Sequence, residues 1–494
     1  MDFYSYVYDN KDKIGKVLFV VSVIAFVYMF FSPLSQTYIN VDEHFTVNIL
    51  KLPTMDFINK LVTDGHPPGY YFPQLIVGYI LSLFNIPVDY FRISKILATA
   101  TYGILLFAAA TKLKRDYGWF TAGLFAFALA TLSEFFVQFV SARSYGLDIL
   151  LLVMAFVYLK DVLFKSDRES WILFIVFSVL AGYSHYYSLF PVGFMYLMII
   201  GNILKNKMSD FKSEFKKVIL AAIASVILYL PELYILRITM STPHTNGSTS
   251  KPLLDLISYF AIGKYQSGHL DVVFFKIIAI LFLIAVVIIA VKRYREYHQN
   301  EDTYVLLGIS LFFLTLLLGY FVLPIKFGAL TGRYLSPVIA IFWLSTAIMM
   351  ERIQSKKIFT VLLVVILLLS CAGAVFIADQ TTVLYNNGIN EEKTLDMING
   401  ENSVVVYQYG NVYHNYHYKL NDTKEYAVSL GHIPYDNNVT ISKNIPKIMD
   451  DNPGKDVYVI KPVKNKQDKQ FGENITSEVL YDGSYTILKL EKKT

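Results

Sequence analysis

The sequence predicts an all-α polytopic membrane protein that carries a small α+β domain at its C-terminal end. The chain has 494 residues, of which 54% are hydrophobic and only 17% are charged, and its mean hydropathy is +0.44. A soluble globular chain carries about 25% charged and about 45–50% apolar residues. The composition therefore excludes an ordinary cytosolic protein, a disordered chain and a disulfide scaffold. The long apolar runs end near residue 380, where the composition changes abruptly.

Eleven apolar runs of about 16 to 22 residues come close to or exceed the length of about 20 residues that a membrane-spanning helix needs. They lie near residues 17–36, 93–112, 118–139, 147–164, 171–186, 188–204, 217–236, 272–291, 303–323, 335–351 and 358–378. Clusters of Lys and Arg fall in every second loop. The positive-inside rule then predicts a multi-pass protein of the cell membrane with a cytoplasmic N-terminus and an extracytoplasmic C-terminal domain. The first run lacks a small-residue cleavage pattern and predicts a retained span.

One further apolar run, from Phe72 to Ile86, is only about 14 residues long between Pro73 and Pro87. Counting it as a span would place the basic cluster around Lys112 outside the membrane. It is therefore interpreted as an interfacial or re-entrant helix on the outer face, and a short true span stays open. The outer first loop then covers residues 37–92.

The chain divides into a transmembrane domain, residues 1–380, and an extracytoplasmic α+β domain, residues 381–494. The patterns of the second domain predict a short helix, two strands and a hairpin that turns at Asp482-Gly483. These are Glu391–Asn399, Ser403–Tyr409, Asp456–Val463 and Val479–Leu490. The net charge of +5 is too small to indicate a nucleic-acid partner. The single Cys371 allows no internal disulfide.

The first outer loop contains an acidic cluster, Asp42-Glu43-His44, only a few residues beyond the first span. Two adjacent carboxylates beside a His at a membrane surface need a partner such as a nucleophile, a metal or a phosphate. A polar helix start explains the same residues, because Asp is favoured there.

Two further clusters lie at the same outer level. His66 precedes two prolines that fix the backbone, and it could hold a lipid phosphate. Arg143 and Asp148 stand five residues apart where one span ends and the next begins, with Tyr145 between them. They could serve a charged ligand or pair with each other, and the helix dipole also favours Asp148 in a first turn.

Basic and phenolic side chains near other outer span ends complete the candidates. Lys326 and Arg333 are candidate phosphate ligands, joined by His185 and Tyr334. Headgroup contact by snorkelling explains Lys326 and Arg333 equally well. The His residues are not spaced like a zinc site, and no metal site is predicted.

In order along the chain, the pair Asp42-Glu43, the stretch His66-Pro67-Pro68-Gly69-Tyr70-Tyr71 and the stretch Ala142–Asp148 resemble one family. The sequence is similar to the C-type membrane glycosyltransferases of glycosyltransferase family 39, the group of protein O-mannosyltransferases and aminoarabinose transferases. The resemblance covers about residues 15–340.

The resemblance implies a C-type glycosyltransferase fold, Asp42 at the reaction centre with Glu43 beside it, Asp148 as the second acidic position, and His66 at the lipid phosphate. Family members often carry an Arg soon after the acidic pair, where this chain has His44. That departure gives Arg333 and Lys326 more weight as phosphate ligands.

We hypothesise an inverting transfer of a sugar from a polyprenyl-phosphate donor to a glycan, lipid or protein acceptor on the outer membrane face. The sugar is delivered on a membrane lipid, since no nucleotide-sugar pool exists outside. Asp42 would deprotonate the acceptor, and Asp148 would orient either Asp42 or the acceptor. The phosphate would be held by His66, Arg143, Lys326 and Arg333. The transferred group is a hexose or a pentose.

A phosphate can leave without a metal, so no cofactor is expected. A divalent cation, as in oligosaccharide-transferring relatives, is not favoured. Two other classes stay open: a lipid or solute transporter, or flippase, and a scaffold subunit without chemistry. Transporters usually show related halves and polar groups at the midplane, whereas here the polar groups cluster at one surface.

Overall fold

The fold was analysed in a computed structural model of the full chain. The structure describes residues 2–36, 41–64, 66–132, 134–206, 208–241, 252–263, 271–326, 330–408, 416, 420, 423–428, 440–441, 444–462, 471, 474–482 and 485–493. Within these ranges the chain is helical up to residue 398 and forms one mixed sheet after it.

Twenty α-helices are numbered here in chain order. They are α1 Phe3–Asp9, α2 Lys11–Phe31, α3 Pro33–Gln36, α4 Val41–Leu50, α5 Thr54–Asp64, α6 Tyr71–Leu83, α7 Tyr90–Ala108, α8 Lys114–Tyr117, α9 Trp119–Thr131, α10 Phe135–Val140, α11 Tyr145–Phe164, α12 Arg168–Ser184, α13 Leu189–Asn206, α14 Phe211–Ser241, α15 Leu253–Ser258, α16 Val272–Tyr297, α17 Asn300–Lys326, α18 Gly332–Glu351, α19 Lys356–Ile398 and α20 Ile445–Asp450.

Among the described residues, eight helices are long and apolar enough to cross a membrane. They are α2, α7, α13, α14, α16, α17, α18 and α19, and they agree with eight of the eleven predicted spans. The chain is a multi-pass membrane protein, and the predicted all-α polytopic fold class is confirmed.

The other three predicted spans are also helical, but each departs from a plain apolar helix. The run 118–139 is broken into α9 and the short α10. Helix α11 contains Asp148, Lys160 and Asp161, and α12 has only 17 residues. Charges inside a span need partners, and Asp161 has them: it lies 2.8 Å from the Nζ of Lys112 and 2.9 Å from that of Lys165. The apolar run from Phe72 to Ile86 forms α6, a helix of 13 residues.

The segment between α14 and α16 was expected to be an outer loop. Its described part, 252–263, contains α15 and a buried turn in which Tyr259, Phe260, Ala261 and Ile262 are at most 2% exposed. The indole N–H of Trp343 donates to the carbonyl oxygen of Phe260 at 2.9 Å. The segment predicted as a polar outer loop therefore includes residues that pack into the helical core.

Six strands form the C-terminal sheet: β1 Ser403–Tyr407, β2 Lys424–Ala427, β3 Thr440–Ile441, β4 Asp456–Pro462, β5 Ile475–Asp482 and β6 Tyr485–Lys492. Their order is β3-β2-β1-β4-β6-β5. The first four are parallel, whereas β6 pairs antiparallel with both β4 and β5. The two predicted strands and the hairpin are confirmed. The predicted short helix at Glu391–Asn399 is wrong in its start, because these residues continue α19 as far as Ile398.

The chain forms two compact units. The first comprises Met1–Ser35 and Pro53–Gln380, and the second comprises Gln36–Leu52 and Thr381–Thr494. Helix α4, which carries the acidic cluster, therefore belongs to the unit that contains the C-terminal sheet.

Candidate functional site

The acidic cluster lies at the start of α4, in the second unit. Asp42 and Glu43 occupy the first turn, where the helix dipole favours negative charge. The hydroxyl of Thr46 donates to the backbone carbonyl of Asp42 at 3.0 Å. Glu43 is fully buried and Asp42 is half-buried. His44 belongs to α4, but its side chain lies outside the described part of the structure.

The predicted basic residues of the first unit do come together. The Nη2 atom of Arg143 lies 3.3 Å from the Nε2 atom of His66. A guanidinium can only donate, so Nε2 of His66 is the acceptor in this contact. Arg143 is only 8% exposed, which makes it a charge held inside the protein rather than a snorkelling side chain.

The loop that carries His66 is held by proline and glycine. Pro67 and Pro68 start a short 3-10 helix, Pro68–Tyr70, because proline fixes φ at a value suited to a helix start. Gly69 then approaches the end of α12, where a Cβ atom would lie 2.6 Å from the carbonyl oxygen of Tyr183. Only glycine allows this approach, which fixes His66 next to Arg143.

Two arginines lie near one aromatic ring. The guanidinium carbon of Arg143 is 6.0 Å from the centroid of the Tyr145 ring, and that of Arg333 is 5.5 Å from the same centroid. Cation–π attraction acts over such distances. The Tyr145 ring therefore brings two cations, from chain positions 190 residues apart, into one neighbourhood.

Both arginines also lie at helix N-termini. Arg143 stands two residues before the first residue of α11, and Arg333 is in the first turn of α18. A helix N-terminus carries a partial positive charge and exposed N–H groups, so cations there repel the dipole unless an anion is bound. The arrangement favours an anionic ligand such as a phosphate.

His185 and Tyr334 complete the wall of this site. The His185 ring lies 5.6 Å from that of Tyr145 and 5.1 Å from that of Tyr334. Its Nδ1 atom accepts from the backbone N–H of Tyr187 at 3.2 Å. Desolvation, with the charges of Arg143 and Arg333, lowers the pKa of His185 to about 3, so this imidazole stays neutral at physiological pH. We call the group His66, Arg143, Tyr145, His185, Arg333 and Tyr334 the arginine site.

Asp148 has a different environment. It lies in the first turn of α11, is 2% exposed, and accepts a hydrogen bond from the hydroxyl of Ser188 at 2.6 Å. The side chain of Lys326, the last residue of α17, lies outside the described part of the structure. The arginine site thus contains six of the predicted residues. Asp148 is not among them, and its carboxylate is hydrogen-bonded to Ser188.

The sequence analysis missed two buried carboxylates. Glu134 follows the break between α9 and α10 and accepts a hydrogen bond of 2.5 Å from the hydroxyl of Tyr259. The ring of Tyr259 lies against Gly332, where a Cβ atom would be only 2.2 Å from it, next to Arg333. An acidic residue in the apolar run 118–139 was the signal that could have revealed Glu134.

The second missed carboxylate is Glu232, which follows Pro231 inside α14 and is fully buried. The hydroxyl of Tyr186 donates to its Oε1 atom. A nearby cavity of about 160 Å³ lies between α12, α13 and α14, with an almost wholly apolar wall. The signal was again an acidic residue in a predicted span, the run 217–236.

Among the residues that the structure describes, no group of three or more His, Cys, Asp or Glu side chains could hold a metal ion. Three of the carboxylates described above accept a hydrogen bond from a hydroxyl group, in the pairs Asp148–Ser188, Glu134–Tyr259 and Glu232–Tyr186.

Comparison with known proteins gives no match to a family model or to a curated protein. Solved structures match over nearly the whole chain. ArnT from Cupriavidus metallidurans bound to undecaprenyl phosphate is 11% identical, with a TM-score of 0.58 and coverage of 96% of this chain and 97% of that one. The oligosaccharyltransferase of Archaeoglobus fulgidus in the apo form is 8% identical, with a TM-score of 0.53 and coverage of 91% and 70%.

The chain has the fold of the C-type membrane glycosyltransferases. AglB from Archaeoglobus fulgidus, in complex with an inhibitory peptide and a dolichol-phosphate, matches as well, with 9% identity, a TM-score of 0.50 and coverage of 92% and 70%. The C-type fold expected from the order of three short motifs is confirmed, at sequence identities of only 8–11%.

Proposed function

We propose that this protein is a glycosyltransferase that moves a sugar from a polyprenyl-phosphate donor to an acceptor at the outer membrane face. The observation that carries the proposal is the arginine site, where Arg143 and Arg333 lie near the ring of Tyr145 and His66 contacts Arg143. Two arginines at helix N-termini suit a phosphate group in charge and geometry.

The leaving group explains why the site is cationic. When the bond between the anomeric carbon and the phosphate oxygen breaks, the polyprenyl phosphate gains negative charge. Fixed guanidinium groups stabilise this charge more strongly in the transition state than in the ground state, and that difference lowers the barrier. His185 contributes no charge, because its pKa is lowered to about 3. The arginines are therefore the proposed stabilisers.

Asp42 is the proposed general base, on the strength of the family resemblance and its place in the first turn of α4. It removes the proton from the acceptor hydroxyl or amine, whose oxygen or nitrogen attacks the anomeric carbon in one displacement with inversion. Fully buried Glu43 is proposed to support Asp42. Asp148 would act as a positioning residue through α11. The proposed orientation places the N-terminus in the cytoplasm and residues 381–494 outside.

Similar structures support the choice of donor. The ArnT structure holds undecaprenyl phosphate, and the AglB structure holds a dolichol-phosphate together with an inhibitory peptide. Both lipids are phosphates on isoprenoid chains, the chemistry that the arginine site suits. The acceptor class, whether glycan, lipid or protein, and the choice of hexose or pentose are left to experiment.

The test is transfer of radiolabelled sugar from synthetic short-chain polyprenyl-phosphate sugars to membrane extracts. Wild type should transfer label, and Asp42→Asn should lose at least about a hundredfold in rate, the scale of general base catalysis. Asp56→Asn is the matched control, because Asp56 is an exposed first-turn acid of α5. Equal rates for Asp42→Asn and Asp56→Asn would show that Asp42 is not the general base. Absence of transfer from every donor would favour a transporter or a scaffold subunit.

A further inference from the structure

A second polar site adjoins the arginine site through a single turn of chain. The 3-10 turn Tyr186–Ser188 follows His185 directly. The ring of His185 packs on Tyr145 and Tyr334 of the arginine site, whereas the hydroxyl of the next residue, Tyr186, donates to Glu232 on α14. His185 of the arginine site is thus followed in the chain by the residue that binds a buried carboxylate.

Glu232 has unused hydrogen-bonding capacity. Its side chain is fully buried, and its Oε2 atom has no hydrogen-bond partner among the residues that the structure describes. A buried carboxylate oxygen without a donor is costly, and Tyr186 satisfies only the other oxygen, Oε1. A hydroxyl or amino group of a bound ligand would supply the donor that this oxygen lacks.

The surroundings of Glu232 indicate which ligand suits it. Ser225, Tyr229 and Glu232 lie on one stripe of α14, at intervals of four and three residues. The rings of Tyr183 and Tyr229 pack edge to face 5.1 Å apart, and the Tyr229 hydroxyl donates to the carbonyl oxygen of Gly182. Aromatic faces beside a carboxylate suit a ligand with an apolar body and hydroxyl or amino donors. A negatively charged group would be repelled.

We propose that Glu232 and Tyr186 form the subsite that recognises the sugar of the donor, with the Glu232 carboxylate accepting hydrogen bonds from sugar hydroxyl or amino groups. The proposal rests on the proposed function, because a sugar linked to a phosphate at the arginine site is the hydroxyl-rich group nearest to this turn. Arg143 and Arg333 would hold the phosphate, and Glu232 would select the sugar.

The experiment separates the two parts by comparing four ligands in detergent-solubilised full-length protein. The probes are a short-chain polyprenyl methyl phosphate, a diester with the same single charge as the donor, and the corresponding diesters carrying mannose, glucose or 4-amino-4-deoxyarabinose. Wild type should bind at least one sugar-carrying lipid about tenfold more tightly than the methyl phosphate, a gain typical of a hydrogen bond to a charged group. Glu232→Gln and Tyr186→Phe should lose most of that gain and keep the affinity for the methyl phosphate.

Tyr196→Phe is the matched control, since the Tyr196 hydroxyl also reaches α14, where it contacts Ser225 at 2.8 Å. This variant should retain the higher affinity for the sugar-carrying lipid. If no sugar improves binding by wild type, or if Glu232→Gln retains the gain, the sugar subsite is disproved while the phosphate site stands. If wild type binds no polyprenyl phosphate at all, the proposed function fails, and with it the basis of the subsite.

Discussion

Arg143 and His66 are 77 residues apart in the chain, yet their side-chain nitrogens lie 3.3 Å from each other. The contact joins the loop after α5 to the start of α11. Because the imidazole accepts from the guanidinium, the contact helps to hold the planar fork of Arg143 in place. A fixed planar fork suits a bidentate contact with phosphate.

Replacing Arg143 by Lys should therefore weaken binding of polyprenyl phosphate by about tenfold or more, because Lys keeps the charge but not the planar fork. Isothermal titration calorimetry in detergent measures the affinity. Arg92→Lys is the control, since the Arg92 side chain is 73% exposed and pairs only with Asp89 among the described residues. Unchanged affinity for Arg143→Lys would show that the planar guanidinium of Arg143 does not contribute to phosphate binding.

Gly69→Ala should destabilise the protein by about 1–3 kcal/mol, the usual cost of overpacking, because the new Cβ would meet the Tyr183 carbonyl oxygen at 2.6 Å. Gly193→Ala makes the same change on α13, where no atom lies within 4 Å of the new Cβ. It should be neutral or slightly stabilising. Thermal unfolding of the two variants compares them, and equal Tm values would show that the close approach is unimportant.

Ser188→Ala should cost about 1–3 kcal/mol of stability, since it removes the donor 2.6 Å from a buried oxygen of Asp148. The loss should appear in Tm. Ser82→Ala, which removes an exposed hydroxyl that bonds only the Tyr79 carbonyl oxygen among the described residues, should change Tm little. A Tm for Ser188→Ala equal to that of wild type would mean that Asp148 does not depend on this hydrogen bond.

Acid should destabilise the wild type through His185. Its pKa falls from 6.5 to about 3 on folding, so below about pH 6.5 the unfolded chain binds a proton that the folded chain refuses. Stability therefore decreases as the pH falls from 7 to 5. The Gln side chain of His185→Gln cannot titrate, so the Tm of this variant should decrease less than that of wild type over this pH range in the same detergent. Parallel Tm curves for the two proteins would exclude a neutral His185.

The members of the arginine site could be predicted as one set because the predicted topology places them all at outer span ends. The positive-inside rule and the length of a span predict one membrane level for Arg143, His185 and Arg333. Tertiary packing decides which of these side chains lie near the same aromatic ring. Only the structure shows that Tyr145 lies near both arginines.

The buried pairs could not be predicted in the same way. Glu134 bonds Tyr259 across 125 residues, and Glu232 bonds Tyr186 across 46. Hydropathy indicates that each carboxylate is unusual in its span but not which hydroxyl it meets. The parallel pairing of β1 with β2 and β4 was likewise missed, since strand patterns do not specify neighbours.

The turn after α12 places three consecutive side chains against three different parts of the helical unit. His185 packs on the rings of Tyr145 and Tyr334, Tyr186 reaches Glu232, and the Tyr187 hydroxyl donates to the Thr315 carbonyl oxygen of α17 at 2.6 Å. A shift of this one backbone turn moves all three contacts together. Substitutions at Tyr187, Glu232 and Tyr334 should therefore be energetically non-additive although the contacts of this turn reach different helices, and the turn constrains which combinations of residues can change together in evolution.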